Sequence, residues 1–354
     1  MTGASDHIPV NIITGFLGSG KTTLLQRLLT SDAFADTAVL INEFGEIGLD
    51  HHLLEEIDEN TLLLQSGCIC CTIRGDLKDA IRDLYSRREC GEIPAFRRLV
   101  IETTGLADPA PILSTITSES VIRHHFRLGN VIATVDAVNA RLHLRRQPES
   151  VKQIAVADRI VLTKTDLAKP GKVKKAREAI RRINPMVPVI EAADGPVDPA
   201  LLLAQDVHDE NHKLREIELW LEASRHDEGD DRGKPHRHDV NRHDKRITAF
   251  ALTFDKPMDW TAFGIWLTML LQSRGEDVLR VKGILNVVGV ATPVVIHGVQ
   301  HIVHSPVHMK NWPDDDRRSR IVFIVRDIAK AEIADSLSAF NALAGDLDRK
   351  NDAA

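Results

Sequence analysis

The sequence predicts an α/β fold with a mostly parallel sheet, followed by a smaller α+β domain. Three observations carry that expectation. A glycine-rich phosphate-binding motif stands between a strand-like run and a helical run near the N-terminus; short β-branched apolar runs then alternate with longer helical patterns to about residue 205; and strand patterns with two helices resume after residue 246. Strands separated by helical stretches imply parallel strands with helices on both faces of the sheet.

The clearest strands of the first part are Val10–Ile13, Ala38–Ile41, Leu99–Ile101, Val131–Ala133 and Arg159–Leu162. Residues 225–246 interrupt the pattern: Val240 is their one aliphatic residue among seven Lys/Arg, six Asp/Glu and four His. Such a stretch buries too little apolar surface to offset its ordering entropy and reads as a linker. Beyond it, Arg246–Phe254, Val278–Val288, Val294–Val303 and Arg320–Val325 read as strands, Met258–Gln272 as an amphipathic helix, and 329–345 as a final helix. The expected organisation is therefore 8–224, a nucleotide domain; 225–246, a charged, histidine-containing linker; and 247–345, a smaller second domain.

Composition narrows the function classes. The 354 residues are 43% hydrophobic, which suits globular cores, and 45 Lys/Arg against 51 Asp/Glu leave a net charge of −6 with no global attraction to nucleic acid. No run of about eighteen apolar residues and no charged-then-apolar leader pattern occurs, so the expectation is a cytoplasmic protein with no membrane partner. Of four cysteines, three are Cys68, Cys70 and Cys71, a poor disulfide framework and a good thiolate cluster.

Gly15-Phe16-Leu17-Gly18-Ser19-Gly20-Lys21-Thr22 matches the P-loop pattern in full, after a strand and before the helical run Thr23–Leu29, and makes the first domain a P-loop NTPase. Gly15, Gly18 and Gly20 let backbone N–H groups, with that of Ser19, turn toward phosphates at the positive end of the helix. Lys21 would bridge the β- and γ-phosphates and the Thr22 hydroxyl would ligate Mg²⁺, while Thr23 lies near the α-phosphate. After the strand Leu99–Ile101, Glu102 can hold Mg²⁺ directly or through water, and Gly105 can offer its N–H to the γ-phosphate.

Base selection is expected near Thr163-Lys164-Thr165-Asp166. Asp166 can accept hydrogen bonds from guanine N1–H and its exocyclic amine, which adenine cannot supply, and Lys164 would lie over the base plane. A helix N-cap at Asp166 explains the same residue, and Thr163 stands where the usual guanine motif has Asn. GTP is the preferred nucleotide on this reading and ATP the alternative.

The segment Gly67-Cys68-Ile69-Cys70-Cys71 lies between the two segments expected to sense the γ-phosphate, Asn42-Glu43-Phe44-Gly45-Glu46 and Glu102–Gly105. Thiolates favour Zn²⁺, Cu⁺ or Co²⁺. In an extended segment Cys68 and Cys70 face one side and Cys71 the other, so a site using all three needs a bent loop, or two sulfurs recruit Glu43, Glu46 or a histidine. Buried structural cysteines are the alternative. Six of sixteen histidines fall between 208 and 243, and His297, His301, His304 and His308 recur in the second domain. A loose metal-capturing tract and a merely polar loop fit the first group equally, whereas His297, His301 and His304 lie in or near a strand pattern and read as surface or core-edge residues.

Together, Thr14–Thr23, Asn42-Glu43-Phe44-Gly45, the Cys-x-Cys-Cys segment and Glu102-Thr103-Thr104-Gly105-Leu106-Ala107-Asp108-Pro109 resemble the CobW family of GTP-binding metal chaperones, and the region from about 247 to 342 resembles its C-terminal domain. The resemblance implies GTP hydrolysis with Mg²⁺, with Lys21, Thr22 and Glu102 at the phosphate and Mg²⁺ positions. It also implies a metal, Zn²⁺ or Co²⁺, at Cys68, Cys70 and Cys71, with Glu43 as a further ligand or switch residue, and delivery to a client protein or cobalamin pathway. Pairing into a homodimer across the nucleotide face is suggested by fold analogy alone. A metal sensor or storage module with incidental turnover, and an ATP-dependent P-loop enzyme, are the rival readings.

Overall fold

The computed structural model describes residues 7–29, 31–41, 54–58, 61–64, 69–72, 76–192, 197–198, 202, 247–304 and 306–351; for 33, 54–58, 61–64, 69–72 and 344–351 it describes the backbone alone. These residues form two compact units. The linker at 225–246 and the histidines between 208 and 243 lie outside the described residues.

In the first unit the strands are β1 (Ile8–Gly15), β2 (Thr37–Ile41), β3 (Leu54–Asp58), β4 (Thr61–Leu64), β5 (Ile69–Thr72), β6 (Arg98–Glu102), β7 (Phe126–Asp136), β8 (Arg159–Thr163) and β9 (Val189–Ala192). They form one sheet in the order β3-β4-β5-β2-β6-β1-β7-β8-β9. From β5 to β9 every neighbouring pair is parallel, while β3, β4 and β5 pair antiparallel at one edge. That edge is absent from the sequence expectation, because β3 itself is mostly charged, with Glu55, Glu56 and Asp58 among its five residues, and so lacks a strand's apolar pattern. The central strands β1, β2, β7 and β8 are buried almost throughout, as continuous β-branched runs covered on both faces should be.

The helices of this unit are α1 (Lys21–Leu29), α2 (Leu77–Glu89), α3 (Ala110–Ser118), α4 (Ser120–His125), α5 (Ala140–Arg146), α6 (Pro148–Val156) and α7 (Pro170–Ile183). Their starts follow from capping chemistry. The Asp76 carboxylate accepts the Lys78 N–H before α2, Glu119 accepts those of Val121 and Ile122 before α4, and Pro148 occupies the opening turn of α6.

The second unit holds β10 (Ile247–Phe254), β11 (Val278–Leu285), β12 (Val294–Val299), β13 (Ile302–Val303), β14 (Val307–His308) and β15 (Ser319–Arg326), with α8 (Trp260–Arg274) and α9 (Lys330–Asn351). The sheet runs β10-β15-β11-β12-β13, with β14 also on β12, and its pairings are antiparallel. Phe263, Trp266, Leu267 and Leu271 of α8 and Ile333 and Leu337 of α9 share a core with Phe250, Val281, Ile296 and Phe323 of the sheet. The Trp266 Nε1–H donates to Ser336 Oγ at 3.0 Å, joining the two helices.

Two sequence expectations are corrected here. The helix expected from Met258 begins at Trp260, because Met258 bridges to Val287 and the Asp259 carboxylate caps the helix through the Ala262 N–H at 2.6 Å. The run Val294–Val303 is two strands, broken at Gln300, whose φ of 50° turns the chain back.

Candidate nucleotide and metal site

The P-loop connects the C-terminal end of β1, the strand lying between β6 and β7, to α1. Gly15, Gly18 and Gly20 have φ of 140°, 68° and 93°, so all three take the backbone region that side chains disfavour. At Gly15 space is closed as well: a Cβ would lie 2.3 Å from Thr134 Oγ1 and 2.5 Å from the Thr134 carbonyl oxygen. The Ser19 N–H closes the turn onto the Phe16 carbonyl at 3.0 Å, and the Ser19 and Thr134 hydroxyls share a 2.6 Å hydrogen bond. Lys21 is buried at the first position of α1, Thr22 is half-buried and Thr23 is exposed.

Glu102 ends β6, fully buried, and its Oε1 accepts the Thr22 hydroxyl at 2.8 Å. The two side chains expected to hold Mg²⁺ are therefore already in contact across 80 residues of sequence. A wholly buried carboxylate beside a hydroxyl at the mouth of a phosphate loop fits a hard divalent cation, whose charge offsets the cost of burying the anion. The next residue, Thr103, is tied to β1 by its N–H on the Ile13 carbonyl (2.9 Å) and its hydroxyl on Thr14 Oγ1 (2.9 Å). Gly105 then lies directly on the P-loop: a Cβ there would fall 2.7 Å from the Leu17 nitrogen and 2.8 Å from its Cα.

The segment 163–166 continues the same network. The Thr163 hydroxyl donates to the Ser19 carbonyl at 2.7 Å, with the Val135 carbonyl at 3.2 Å. Lys164, at a φ of 55°, extends its ammonium to the Gly18 carbonyl (2.7 Å) and to Asp136 Oδ2 (2.9 Å). Asp166 is exposed, and α7 starts only at Pro170, so Asp166 does not cap that helix.

Asp136 is the functional candidate that sequence reasoning missed. It closes β7, is buried, and accepts hydrogen bonds from Lys164, the Asn139 amide and the Val138 and Asn139 N–H groups. Burial alone would push its pKa up; the bonds from Lys164, Asn139 and Val138, with the Lys164 charge, outweigh that and hold it below its ordinary value of 3.8. Its one sequence signal is a carboxylate ending a strand whose second half, Val131–Val135, is apolar except for Thr134.

On the metal side, Glu43 and Cys68 lie outside the described residues. Cys70 and Cys71 occupy adjacent positions of β5, pairing with Val39 and Leu40 of β2 on one side and with Leu62 and Thr61 of β4 on the other. Among the described residues no three His, Cys, Asp or Glu side chains converge as a metal site. In the second unit, His301 Nδ1 meets the Leu271 carbonyl at 2.9 Å, and the rings of His297 and His304 stand 6.4 Å apart.

Comparison with known proteins agrees with this geometry. Residues 9–191 match the CobW/HypB/UreG nucleotide-binding domain, and residues 247–341 match the cobalamin synthesis protein cobW C-terminal domain. The zinc chaperone YjiA of Escherichia coli K12 is 35% identical over 326 residues, 92% of this chain and 96% of that protein. The zinc-regulated GTPase metalloprotein activator 1 of Schizosaccharomyces pombe is 29% identical over 307 residues, 79% of this chain and 72% of that one. The crystal structure of the Zn(II)-bound YjiA GTPase from E. coli superposes with a TM-score of 0.72 at 34% identity, covering 94% of this chain and 99% of that chain. With a phosphate loop, an acidic partner on the adjoining strand and both domains matched in order, the chain belongs to the CobW family.

Proposed function

We propose that this chain is a GTP-hydrolysing metallochaperone, which holds Zn²⁺ through Cys68, Cys70 and Cys71 with Glu43 as a further ligand or switch residue. It passes the metal to a metal-dependent client protein in a nucleotide-dependent way. One observation carries the coupling. Strand β2 pairs with β6 and β5 at once, so that Val39 is level with Val100 and Cys70, Leu40 with Ile101 and Cys71, and Ile41 with Glu102 and Thr72. The cysteine strand and the Glu102 strand are thus two strand spacings apart, roughly 10 Å, across one shared strand.

At the nucleotide, Lys21 bridges the β- and γ-phosphates, and the N–H groups of Gly18, Ser19 and Gly20 receive their oxygens. Thr22 and Glu102 hold Mg²⁺, which neutralises charge on the phosphate oxygens when bound. The Gly105 N–H faces the γ-phosphate, Asp166 reads the guanine edge, and Lys164 covers the base. Soft thiolates favour Zn²⁺ over the hard Mg²⁺, so the two metals sort themselves by ligand chemistry. Relatives named as zinc chaperones support Zn²⁺ over Co²⁺ as the cargo.

The test is a titration of Zn²⁺ and Co²⁺ into the full chain with GDP, with a non-hydrolysable GTP analogue, and without nucleotide. The expected outcome is a zinc affinity differing about a hundredfold between the two nucleotide states, a linkage of about 2.7 kcal/mol. Equal affinities in all three conditions overturn the proposal in favour of a storage or sensor module.

A further inference from the structure

Helix α6 packs its Lys152 and Gln153 side chains against the Gly105–Asp108 turn beside the P-loop. Gln153 on this helix is only 1% exposed, and its amide nitrogen donates to the carbonyls of Ala107 (3.0 Å) and Gly105 (3.3 Å). Its neighbour Lys152 pairs with Asp108 Oδ2 at 2.7 Å, while Asp108 Oδ1 accepts the Ala110 N–H at the start of α3. The turn Gly105–Asp108 is therefore gripped from α6 at three successive points. Both partners of the Gln153 amide are acceptors, so its nitrogen must face them, and Oε1 is left buried with no hydrogen bond among the described residues. The side chain is oriented for the turn alone.

The grip has a rigid base. Just past α6, the Asp158 N–H donates to the Val131 carbonyl (2.7 Å) and the Asp158 carboxylate accepts the Val131 N–H (3.0 Å), locking the helix end to β7 where β8 begins. The start of the segment is fixed separately, by Thr103 on β1. Between these anchors Gly105 rests on Leu17, where even a methyl group would not fit. Gln153 holds the Gly105–Leu106 peptide by the Gly105 carbonyl, and Ala107, whose carbonyl it also holds, gives its N–H to the Thr104 carbonyl at 3.1 Å, so the Thr104–Gly105 peptide that carries the Gly105 N–H is fixed through the same turn.

We propose that Gln153 and Lys152 are positioning residues for the γ-phosphate: they fix the Gly105–Asp108 turn so that the Gly105 N–H meets GTP, and thereby set the discrimination between GTP and GDP. This rests on the proposed reading of Gly105 as a γ-phosphate contact. GDP, which lacks that phosphate, should be indifferent to the grip.

The experiment compares binding of a non-hydrolysable GTP analogue and of GDP, each with Mg²⁺ and without zinc, to the full-length chain and to Q153E and K152A. Glu has the size of Gln but turns a carboxylate toward two carbonyls. Q153E is expected to weaken the GTP analogue about tenfold or more, leave GDP within about twofold, and lower kcat for GTP, as loss of a buried donor requires. K152A, at a half-exposed pair, should weaken the analogue selectively by only about threefold. An analogue-to-GDP affinity ratio in Q153E equal to that of the unaltered chain overturns the inference. Should Q153E lose both nucleotides together, K152A decides, and an unchanged ratio there overturns it equally. Because no zinc is present, failure here leaves the metallochaperone reading standing, and a zinc affinity blind to nucleotide leaves this inference standing.

Discussion

The phosphate side and the base side of the nucleotide site are built to different standards of burial. On the phosphate side Ser19, Lys21, Glu102 and Thr103 are all buried, and Ser19, Thr22, Glu102 and Thr103 are joined by hydrogen bonds within the P-loop, β1, β6 and β7. On the base side Lys164 keeps 37% of its side chain exposed, Asp166 is at the surface, and Leu167 is 72% exposed. The proposed phosphate side is thus assembled by folding itself, whereas the proposed base-reading residues stand at a solvated rim. Thr163 and Lys164 join the two, since each bonds a P-loop carbonyl.

The most damaging way to break this contrast is to deform the phosphate side. Gly15→Ala forces a methyl group to within 2.3 Å of Thr134 Oγ1 at a φ of 140°. A backbone carbonyl is among the atoms in the way, so no rotamer change relieves the clash. The expected cost is about 3 kcal/mol of stability and about a hundredfold or more in affinity for GTP and GDP alike. Chemical denaturation and nucleotide titration on the same variant check both numbers; unaltered nucleotide binding would mean that the loop is not prepared by folding.

A smaller effect is expected where the two sides meet. Asp136→Asn keeps the size of the side chain and removes the charge that anchors Lys164. The Asp136 pKa is held below its ordinary 3.8, so its contribution is present above that value and is lost as pH falls through the depressed pKa. The variant should be less stable at pH 7 by about 1–3 kcal/mol, the range for hydrogen bonds to a buried charge, and bind GTP about tenfold more weakly. Its stability should also decline less steeply than the wild type's between pH 4 and lower values, which thermal melts across that range would show. Parallel acid limbs in the two proteins would place the Lys164 anchor elsewhere.

The same division explains what could be read from sequence. The phosphate side was legible because its chemistry is local: eight consecutive residues dictate the loop, and a carboxylate after an apolar strand supplies its partner. The Thr22–Glu102 contact could be anticipated from motif order, since parallel strands bring their C-terminal ends together. Asp136, Gln153 and Thr134 were not legible, because each acts through a contact made only when β7 or α6 comes to rest beside the loop; only Asp136 carries a local mark, its place at the end of a strand, and no motif accompanies it. Thr163 departs from the guanine motif at a position where the structure uses only a hydroxyl, donated to the Ser19 carbonyl, so the departure does not involve Asp166, the residue proposed to read the base. The edge strands β3 and β4 escaped because Glu55, Glu56 and Asp58 make up most of β3, and pattern alone does not reveal a short antiparallel hairpin on an otherwise parallel sheet.

The mildest perturbation falls on the open rim, and it sharpens the comparison most directly. Asp166→Asn replaces two acceptor oxygens by one acceptor and one donor at an exposed position, touching neither the P-loop nor the Thr163 bond. Guanine, which offers two donors, should bind about fivefold more weakly, as expected for one net hydrogen bond lost in water. Xanthine presents a carbonyl where guanine has its amine, so the new amide can donate to it, and xanthine nucleotides should gain affinity in the variant. Stability and the GDP-to-GTP ratio should stay at wild-type values, because the phosphate side is unchanged. Competition titrations with guanine and xanthine diphosphates give the answer. A variant that keeps full guanine preference would move base recognition away from Asp166 and leave the rim with Lys164 as its one nucleotide contact, whereas a switch toward xanthine without loss of stability separates reading the base from holding the phosphates.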